Sequence, residues 1–177
     1  MPQYRPNLVA WIDSFLSDRT FSVRIGSTDS STRSIASGVI QGSILGPALF
    51  TIFINDIAAK VRTDEVDLEI YADDTKLFSY DPLLLQKALH QADDWCAEND
   101  IHIAPEKCSV LSVSRSLPSV PCSLTIDNVP INQVTRVKDL GVILNSQLSP
   151  VDHIRETSQK AARRMNLVLR SLRSKDI

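Results

Sequence analysis

The sequence predicts an α+β fold in which short antiparallel hairpins alternate with amphipathic helices. Three observations support this class. Apolar residues recur at helical spacing in three separate segments, over residues 6–18, 81–98 and 151–173. Between these segments, short runs alternate apolar and polar residues and end at turns rich in Gly, Asn or Asp. Over residues 70–78, apolar residues lead into and out of a chain reversal that carries two adjacent carboxylates.

The bulk composition is that of a soluble globular domain. The chain has 177 residues, of which 43% are hydrophobic and 23% are charged. The longest apolar run, residues 44–54, contains Pro47 and is too short to span a bilayer, and no signal peptide opens the sequence. We therefore expect a soluble intracellular protein with no membrane partner. The sequence leaves open whether it is located in the nucleus. Cys96, Cys108 and Cys122 match neither a zinc spacing nor an even disulfide set, so we expect reduced packing residues.

The net charge of −2 conceals a strong asymmetry along the chain. Residues 151–177 contain seven Lys or Arg and three acids, a net charge of +4, whereas the other 12 basic and 18 acidic residues give −6. The sequence thus predicts an acidic body followed by a basic helix. A clustered basic face is the usual electrostatic signature of a surface that binds phosphates.

The first half of the chain predicts a helix, a hairpin and a buried helix. The helix over residues 6–18 rests on apolar residues at helical spacing, namely Leu8, Trp11, Ile12, Phe15 and Leu16. A two-stranded hairpin follows around the turn-rich residues 26–31. Residues 37–47 contain three glycines and a proline, which indicates backbone that is bent or closely approached. The helix that Pro47 begins runs to Ile57, is apolar nearly all round, and is therefore expected to be buried. The glycine-bearing loop before it could bind phosphate or could be only a structural turn, because it matches neither common nucleotide-binding glycine pattern.

The second half predicts a capped helix, short strands and a final helix. Asp81 and Pro82 are an N-cap acid and a first-turn proline, and they predict a helix that runs to about Glu98. Its inner stripe comprises Leu85, Leu89, Ala92, Trp95 and Cys96. Strands are predicted at 110–113, at 124–126 and 129–131 around the turn Asp127-Asn128, and at 137–144. The last helix covers 151–173, with Ile154, Ala161, Met165, Val168, Leu169 and Leu172 on one side and the arginines on the other. The compact body is expected to end near residue 148.

The adjacent carboxylates Asp73 and Asp74 are the main candidate for chemistry. Successive side chains of a strand face opposite sides, so two neighbouring aspartates can converge only at a turn. Two such charges repel each other unless a hard cation lies between them. Asp-Asp pairs also occur as ordinary turn formers, but the apolar flanks, Tyr71 and the upstream glycine segment favour the cation site. Cys96, His102 and Cys108 are evenly spaced, yet isolated His and Cys residues are usually packing or surface residues, so we expect no metal there.

Several segments together identify a family. In chain order they are Trp11–Leu16 with Arg19, Gly38–Pro47 with Phe50 and Ile54-Asn55-Asp56, Tyr71-Ala72-Asp73-Asp74, Lys107, Leu140-Gly141-Val142, and Leu148 with His153-Ile154. In this order and spacing the set resembles the reverse transcriptase of non-LTR, LINE-like retrotransposons. The resemblance covers about residues 6–172.

The resemblance implies a polymerase palm, which is an antiparallel sheet with helices packed on one face. Residues 1–148 would be a partial palm with residual fingers elements, and residues 149–177 the start of the thumb. The resemblance also implies RNA-directed DNA synthesis, in which a DNA primer is extended with deoxynucleoside triphosphates on an RNA template. Two ions of Mg²⁺ (or Mn²⁺) would assist the phosphoryl transfer. The implied catalytic and metal-binding residues are Asp73 and Asp74. The implied nucleotide and template contacts are Gln41, Gly42, Ser43, Tyr71 and Lys107. The implied primer and duplex contacts are Leu140, Gly141, Arg155, Lys160, Arg163 and Arg164.

One departure from the family pattern bears on activity. The family carries a third catalytic aspartate on a strand upstream of the helix that begins here near Pro6, and this sequence starts after that point. Asp13 and Asp18 are no substitutes, because they lie on or just after a helix. We therefore expect an N-terminally truncated segment whose two-ion site is incomplete and which does not catalyse polymerisation alone. The alternative is a non-catalytic retroelement remnant that binds nucleic acid or has no function. The sequence indicates no oligomeric state.

Overall fold

The computed structural model describes residues 6–114 and 123–173, which form two compact units. Unit one comprises the residues up to Asp56 together with Ile70–Asp74. Unit two comprises Ile57–Glu69 and the residues from Thr75 onward. Cys122 and the last four residues of the expected thumb segment lie outside the described residues. The division of the chain near residue 148 remains a prediction.

The helices lie where the sequence pattern predicts them, apart from one break. They are α1 (Pro6–Leu16), α2 (Gly46–Ile54), α3 (Asp56–Val61), α4 (Pro82–Glu98) and α5 (Val151–Arg173), and a 3₁₀ turn covers Pro105–Lys107. On α1, Trp11 and Phe15 stack with ring centroids 5.7 Å apart, as residues four positions apart on one helical face can. The single helix expected from Pro47 to Ile57 is instead two helices, α2 and α3, which meet at Asn55.

The expected burial of the segment 47–57 is only partly observed. In α2 only Gly46 is buried, and Ile52 and Phe53 are 63% and 42% exposed, so the expectation for this helix was wrong. In α3, Ile57 and Val61 are buried. An apolar helix is buried only where other elements cover it, and the described residues cover one stripe of α2, on which Leu49, Phe50 and Ile54 are half-buried.

The strands form six two-stranded pairs among the described residues. They are β1 (Arg19–Phe21), β2 (Arg24–Ile25), β3 (Thr28–Asp29), β4 (Arg33–Ile35), β5 (Asp67–Tyr71), β6 (Asp74–Phe78), β7 (Ser109–Leu111), β8 (Thr125–Ile126), β9 (Val129–Pro130), β10 (Asn132–Val134), β11 (Arg136–Asp139) and β12 (Val142–Asn145). The pairs β1–β4, β2–β3, β8–β9 and β11–β12 are antiparallel, β7 and β10 are parallel, and β5 pairs with β6. The α+β class is therefore confirmed, although the described residues do not form the single larger sheet of a palm.

Two turns differ in how well the sequence predicted them. Asp127 and Asn128 have φ angles of 48° and 61°, the left-handed pair that a two-residue hairpin of this twist requires, and the predicted hairpin is present. The strand predicted at 137–144 is instead a hairpin, because the chain reverses at Leu140 and Gly141, with φ angles of 45° and 91°.

The hydrophobic core belongs to unit two and forms around α4. The helix is capped as predicted, since the Asp81 carboxylate accepts a 2.8 Å hydrogen bond from the Leu83 N–H. The buried side chains of unit two are Ile57, Val61, Val66, Leu68, Ala88, Ala92, Trp95, Cys96, Leu124, Ile126, Ile131 and Ile143. In unit one, by contrast, Gly46 is the only buried residue among those described. Burial raises the pKa of the Cys96 thiol, as expected for a packing cysteine.

A side chain of α4 completes the hydrogen bonding of a neighbouring strand. Gln86 donates its amide to the Thr125 carbonyl and accepts from the Thr125 N–H, both at 2.8 Å. These two hydrogen bonds are equivalent to those that an adjacent strand would make with Thr125. They fix β8 to α4 beside the cluster of Leu124, Ile126 and Ile131. Within the described ranges, none of the helices combines the length and apolar character needed to cross a bilayer.

Candidate functional site

The two candidate carboxylates lie at the reversal between β5 and β6, where the sequence predicts them. Ala72 and Asp73 form the turn, and Asp74 begins β6. Ala72 has a φ of 53°, a left-handed conformation that a tight hairpin uses at this position and that L residues rarely adopt. Asp73, Asp74 and Tyr71 are exposed, and Tyr71 retains 64% of its accessible surface. The turn thus presents both carboxylates to solvent.

The donor set at this turn suits a hard divalent cation. Carboxylate oxygens are the ligands that Mg²⁺ and Mn²⁺ prefer, and exposed ligands can keep the several water molecules that Mg²⁺ retains. Two carboxylates alone supply few protein ligands for two ions. In residues 6–114 and 123–173, no group of three or more His, Cys, Asp or Glu side chains is arranged to hold a metal ion.

The loop that contains Gln41, Gly42 and Ser43 is held by a short internal network. Gly42 has a φ of 84°, which permits the sharp bend before α2. The Ser43 N–H donates to the Ile40 carbonyl at 3.2 Å, and the Ser43 hydroxyl accepts from the Gly46 N–H at 2.9 Å. Gln41 and Gly42 are exposed. The exposed residues Gln41 and Gly42 therefore lie in a loop whose backbone is held by the hydrogen bonds of Ser43.

The chain leaves little room for a side chain at Gly46, where this loop enters α2. A Cβ atom at Gly46 would lie 2.9 Å from the Ser43 hydroxyl and 3.1 Å from the Ile40 carbonyl oxygen. Both separations are shorter than normal van der Waals contact, so a larger residue would displace the loop.

Arg19 connects the end of α1 to the start of the same loop. Its Nε donates to the carbonyl of Leu16, the last residue of α1, at 2.7 Å. Its terminal guanidinium nitrogen donates to the carbonyls of Ser37 at 3.3 Å and Gly38 at 2.6 Å. Arg19 is one of the residues that carry the family resemblance, which assigns it no role. The structure shows that it satisfies three carbonyls and orders the loop before Gln41.

A pocket of about 310 Å³ lies beside the carboxylate turn within unit one. Its walls are Thr51, Ile54 and Asn55 from α2 and its C-terminus, and Ile70, Tyr71 and Ala72 from the hairpin. Half of its lining therefore comes from the strand end and turn that precede Asp73. Thr51 and Asn55 were not predicted as site residues, and only the match at Ile54-Asn55-Asp56 pointed to this region.

The remaining candidate residues belong to unit two. Lys107 ends the 3₁₀ turn and is exposed. Leu140 and Gly141 form the exposed turn of the β11–β12 hairpin. Residues 137–144 are therefore a hairpin and not the single strand that the sequence pattern predicted. Gln41, Gly42, Ser43, Tyr71, Asp73 and Asp74 all lie in unit one, so the candidates divide between the two units.

The first two turns of the basic helix α5 contact the β11–β12 hairpin. The His153 Nδ1 accepts a hydrogen bond from the Ile143 N–H at 3.3 Å, and Asn145 donates to Asp152 at 2.9 Å. The Glu156 carboxylate bridges Lys160 at 2.8 Å and Arg136 at 2.9 Å. The hydrogen bond and charge of Lys160, and then those of Arg136, lower the pKa of Glu156 from its ordinary value of 4.5.

Beyond Glu156, every described side chain of α5 is exposed. This part carries Lys160, Arg163 and Arg164, and residues 157–173 include no acid. The apolar side expected on this helix is present but uncovered by the described chain, with Met165 59% and Leu172 62% exposed. The exposed cations give α5 the charge needed to contact a polyanion.

Comparisons with known proteins agree with the motifs. Residues 2–144 match the family model described as "Reverse transcriptase (RNA-dependent DNA polymerase)". The chain is 31% identical over 167 residues to the RNA-directed DNA polymerase from mobile element jockey of Drosophila melanogaster, covering 88% of this chain and 18% of the relative. It is 29% identical over 169 residues to the probable RNA-directed DNA polymerase from transposon BS of the same species, covering 87% of this chain and 18% of the relative.

A third relative, from a different retrotransposable element, is less similar to the chain. The retrovirus-related Pol polyprotein from type-1 retrotransposable element R2 of Popillia japonica is 24% identical over 153 residues, covering 77% of this chain and 25% of the relative. No solved structure matches the chain significantly. The chain spans less than a fifth of the length of the jockey and BS relatives.

Proposed function

Since the chain belongs to the reverse transcriptase family, we propose that it is the palm segment of an RNA-directed DNA polymerase. In this proposal Asp73 and Asp74 hold divalent cations at the β5–β6 turn. The observation that carries the proposal is the pair of exposed carboxylates at a tight turn, inside the segment that matches the family model. Residues 1–148 would belong to the palm, with residual fingers elements, and α5 would begin the thumb.

The proposed reaction is extension of a DNA primer by deoxynucleoside triphosphates on an RNA template. Bound Mg²⁺ or Mn²⁺ would lower the pKa of the primer 3′-hydroxyl and neutralise charge on the phosphates. Asp73 and Asp74 would hold the cations. The positive charge of the cations would offset the repulsion between the two carboxylates. Tyr71 would contact the primer end from the residue just before the turn.

Other residues would bind the substrates. Gln41, Gly42 and Ser43 would contact the template and the incoming nucleotide, since their loop is bent at Gly42 and ordered by the bonds of Ser43 and Arg19. Lys107 would neutralise the triphosphate. Leu140 and Gly141 would contact the primer strand. Arg155, Lys160, Arg163 and Arg164 would lie along the duplex backbone, where salt weakens such contacts.

Primer extension tests this proposal. We would assay an RNA template with a DNA primer and Mg²⁺ or Mn²⁺, using this chain and a longer chain extended at its N-terminus. We expect extension by the longer chain and loss of at least about 10²–10³-fold in rate on Asp74→Asn, as for other groups that stabilise transition-state charge.

The chain supplies a matched control for that substitution. Asp93 and Asp94 of α4 also follow an alanine, so Ala72-Asp73-Asp74 and Ala92-Asp93-Asp94 are the same tripeptide in a turn and in a helix. Asp94→Asn should leave the rate unchanged. Equal rates for the longer chain and its Asp74→Asn variant would refute the catalytic assignment.

A second candidate function is duplex binding without catalysis. The exposed cations of α5 favour it, because they need no complete metal site to contact phosphates. Binding of this chain to a primer–template duplex, combined with no extension by the longer chain, would support this alternative over the polymerase.

A further inference from the structure

The cations of α5 fall into two groups that differ in their partners. Near the start of the helix, the Glu156 carboxylate pairs with Lys160 at 2.8 Å and with Arg136 of β11 at 2.9 Å. Further along, three exposed arginines form no ion pair with any other residue of the described ranges. We call these three residues the distal cations, namely Arg163, Arg164 and Arg170.

Glu156 lies in one row with two of the distal cations. Residues seven apart on an α-helix differ by only about 20° around its axis and lie about 10.5 Å apart along it. Glu156, Arg163 and Arg170 follow this spacing on α5. A nucleic-acid strand that runs along the row therefore meets an acid at one end and arginines along the rest.

The acid reduces what Lys160 can contribute to phosphate binding. A phosphate in contact with the Lys160 ammonium would lie within roughly 6 Å of the Glu156 carboxylate, because the two charged groups of the pair are 2.8 Å apart. The Coulomb energy falls as the inverse of the distance, so repulsion by the carboxylate offsets roughly half of the attraction. The distal cations have no such neighbour on the helix, since residues 157–173 contain no acid.

We propose that the distal cations carry the contact of α5 with the duplex backbone, and that Glu156 is a positioning residue that withholds Lys160 and Arg136 from it. Arg170 is then a further duplex-binding residue, to which the resemblance assigns no role. The inference rests on the proposed function, because it assumes that α5 contacts the phosphates of a primer–template duplex. It refines the proposed contacts, since Lys160 reaches a phosphate only in competition with Glu156.

The first test compares single cations of this 177-residue chain. Its affinity for a fluorescent duplex of DNA primer and RNA template is measured over a range of KCl concentrations, because the slope of log K against log salt reports the phosphates neutralised. Arg170→Met should make the slope shallower by about 1, and Lys160→Met by less than about half of that. Lys87→Met, which removes an exposed cation of α4, is the matched control and should leave the slope unchanged.

The second test is a double-substitution cycle on the acid. Glu156→Gln should make the slope steeper by about 1–2, because Lys160 and Arg136 become available to phosphates. In that background, Lys160→Met should make the slope shallower by about 1, a loss that it does not cause while Glu156 is present. Asp94→Asn, the same change of charge at an exposed residue of α4, should leave the slope unchanged. Circular dichroism checks that each variant retains its helix content.

A purely structural role of Glu156 predicts a different pattern. If the acid only anchored α5 to the β11–β12 hairpin, Glu156→Gln would leave the slope unchanged or make it shallower, and Lys160→Met would have the same effect in both backgrounds. Either result would overturn the inference. Equal losses from Lys160→Met and Arg170→Met in the unsubstituted background would overturn it as well, and that comparison leaves Glu156 in place.

The outcomes separate this inference from the proposed polymerase. The expected slopes, with no primer extension by the longer chain, would sustain the roles of Glu156 and Arg170 and refute the polymerase. Primer extension that depends on Asp74, with equal losses from Lys160→Met and Arg170→Met, would refute the inference alone. No binding of the duplex at low salt would overturn the inference together with the proposed duplex contacts of α5.

Discussion

Replacing Gly46 by alanine tests whether the loop before α2 is as tightly built as its contacts indicate. The added methyl would lie 2.9 Å from the Ser43 hydroxyl and 3.1 Å from the Ile40 carbonyl oxygen, so the Ser43 side chain or the loop backbone must shift. Gly46 does not have a positive φ, so the strain comes from space and not from backbone conformation. The movement would also strain the 2.9 Å bond from the Gly46 N–H to Ser43.

The expected magnitude follows from these contacts. Overpacking costs about 1–3 kcal/mol, and a weakened hydrogen bond costs about 1 kcal/mol. Alanine returns about 0.5–1 kcal/mol, because it restricts the unfolded chain more than glycine does. The net loss of about 1–3 kcal/mol corresponds to a fall in Tm of roughly 3–10 °C for a chain of this size.

Urea unfolding followed by circular dichroism measures the loss, and hydrogen exchange over residues 37–46 reports whether the loop has moved. Ser43→Ala is the informative partner substitution, because it removes the atom nearest to the new methyl. The double variant should therefore cost less than the sum of the two single variants. An alanine at position 46 that leaves stability unchanged or raises it would refute the packing argument.

Three further predictions rest on other contacts. Gln86→Leu should lower the free energy of unfolding in a urea titration by about 2 kcal/mol, because both backbone groups of Thr125 lose their partner, and an unchanged stability would contradict this contact. The duplex affinity of the chain should fall with salt, and Arg163→Ala combined with Arg164→Ala should reduce the slope of log K against log salt by about 2, whereas an unchanged slope would exclude α5 from the contact. The pKa of Glu156 is lowered in the folded state, so its stabilisation is present above its ordinary value of 4.5 and is lost as the pH falls through the lower folded value. Glu156→Gln should flatten the acid side of the stability profile, and an identical profile in both proteins would contradict the assignment.

Local chemistry was predictable where neighbouring residues decide the structure. Asp81 and Pro82 determine the start of α4 through a cap and a fixed φ, and the Asp127-Asn128 pair adopts the two left-handed conformations that its hairpin needs. The alternation of apolar and polar residues did not predict the chain reversal at Leu140. Leucine seldom adopts a positive φ, and the surrounding residues alternate as they would in one continuous strand.

Long-range features could not be predicted in this way. The burial of α2 depends on which elements cover it, and composition does not report that. The ion pair between Lys76 and Asp139 joins residues 63 positions apart, and no local pattern marks either of them. The tripeptide Ala-Asp-Asp occurs twice, once at the β5–β6 turn and once on α4. The apolar flanks, Tyr71 and the upstream glycine segment are the sequence signals that favoured the copy at the turn.

We propose that Ala72-Asp73-Asp74 binds a divalent cation because its two carboxylates lie at a turn, whereas those of Ala92-Asp93-Asp94 lie on a helix. Both copies of the tripeptide can be followed in one Mn²⁺ titration of isotope-labelled protein, since each amide gives its own signal. We predict that the amide signals of residues 71–75 broaden at lower Mn²⁺ concentration than those of residues 92–95. Broadening of both sets at the same concentration would contradict the account.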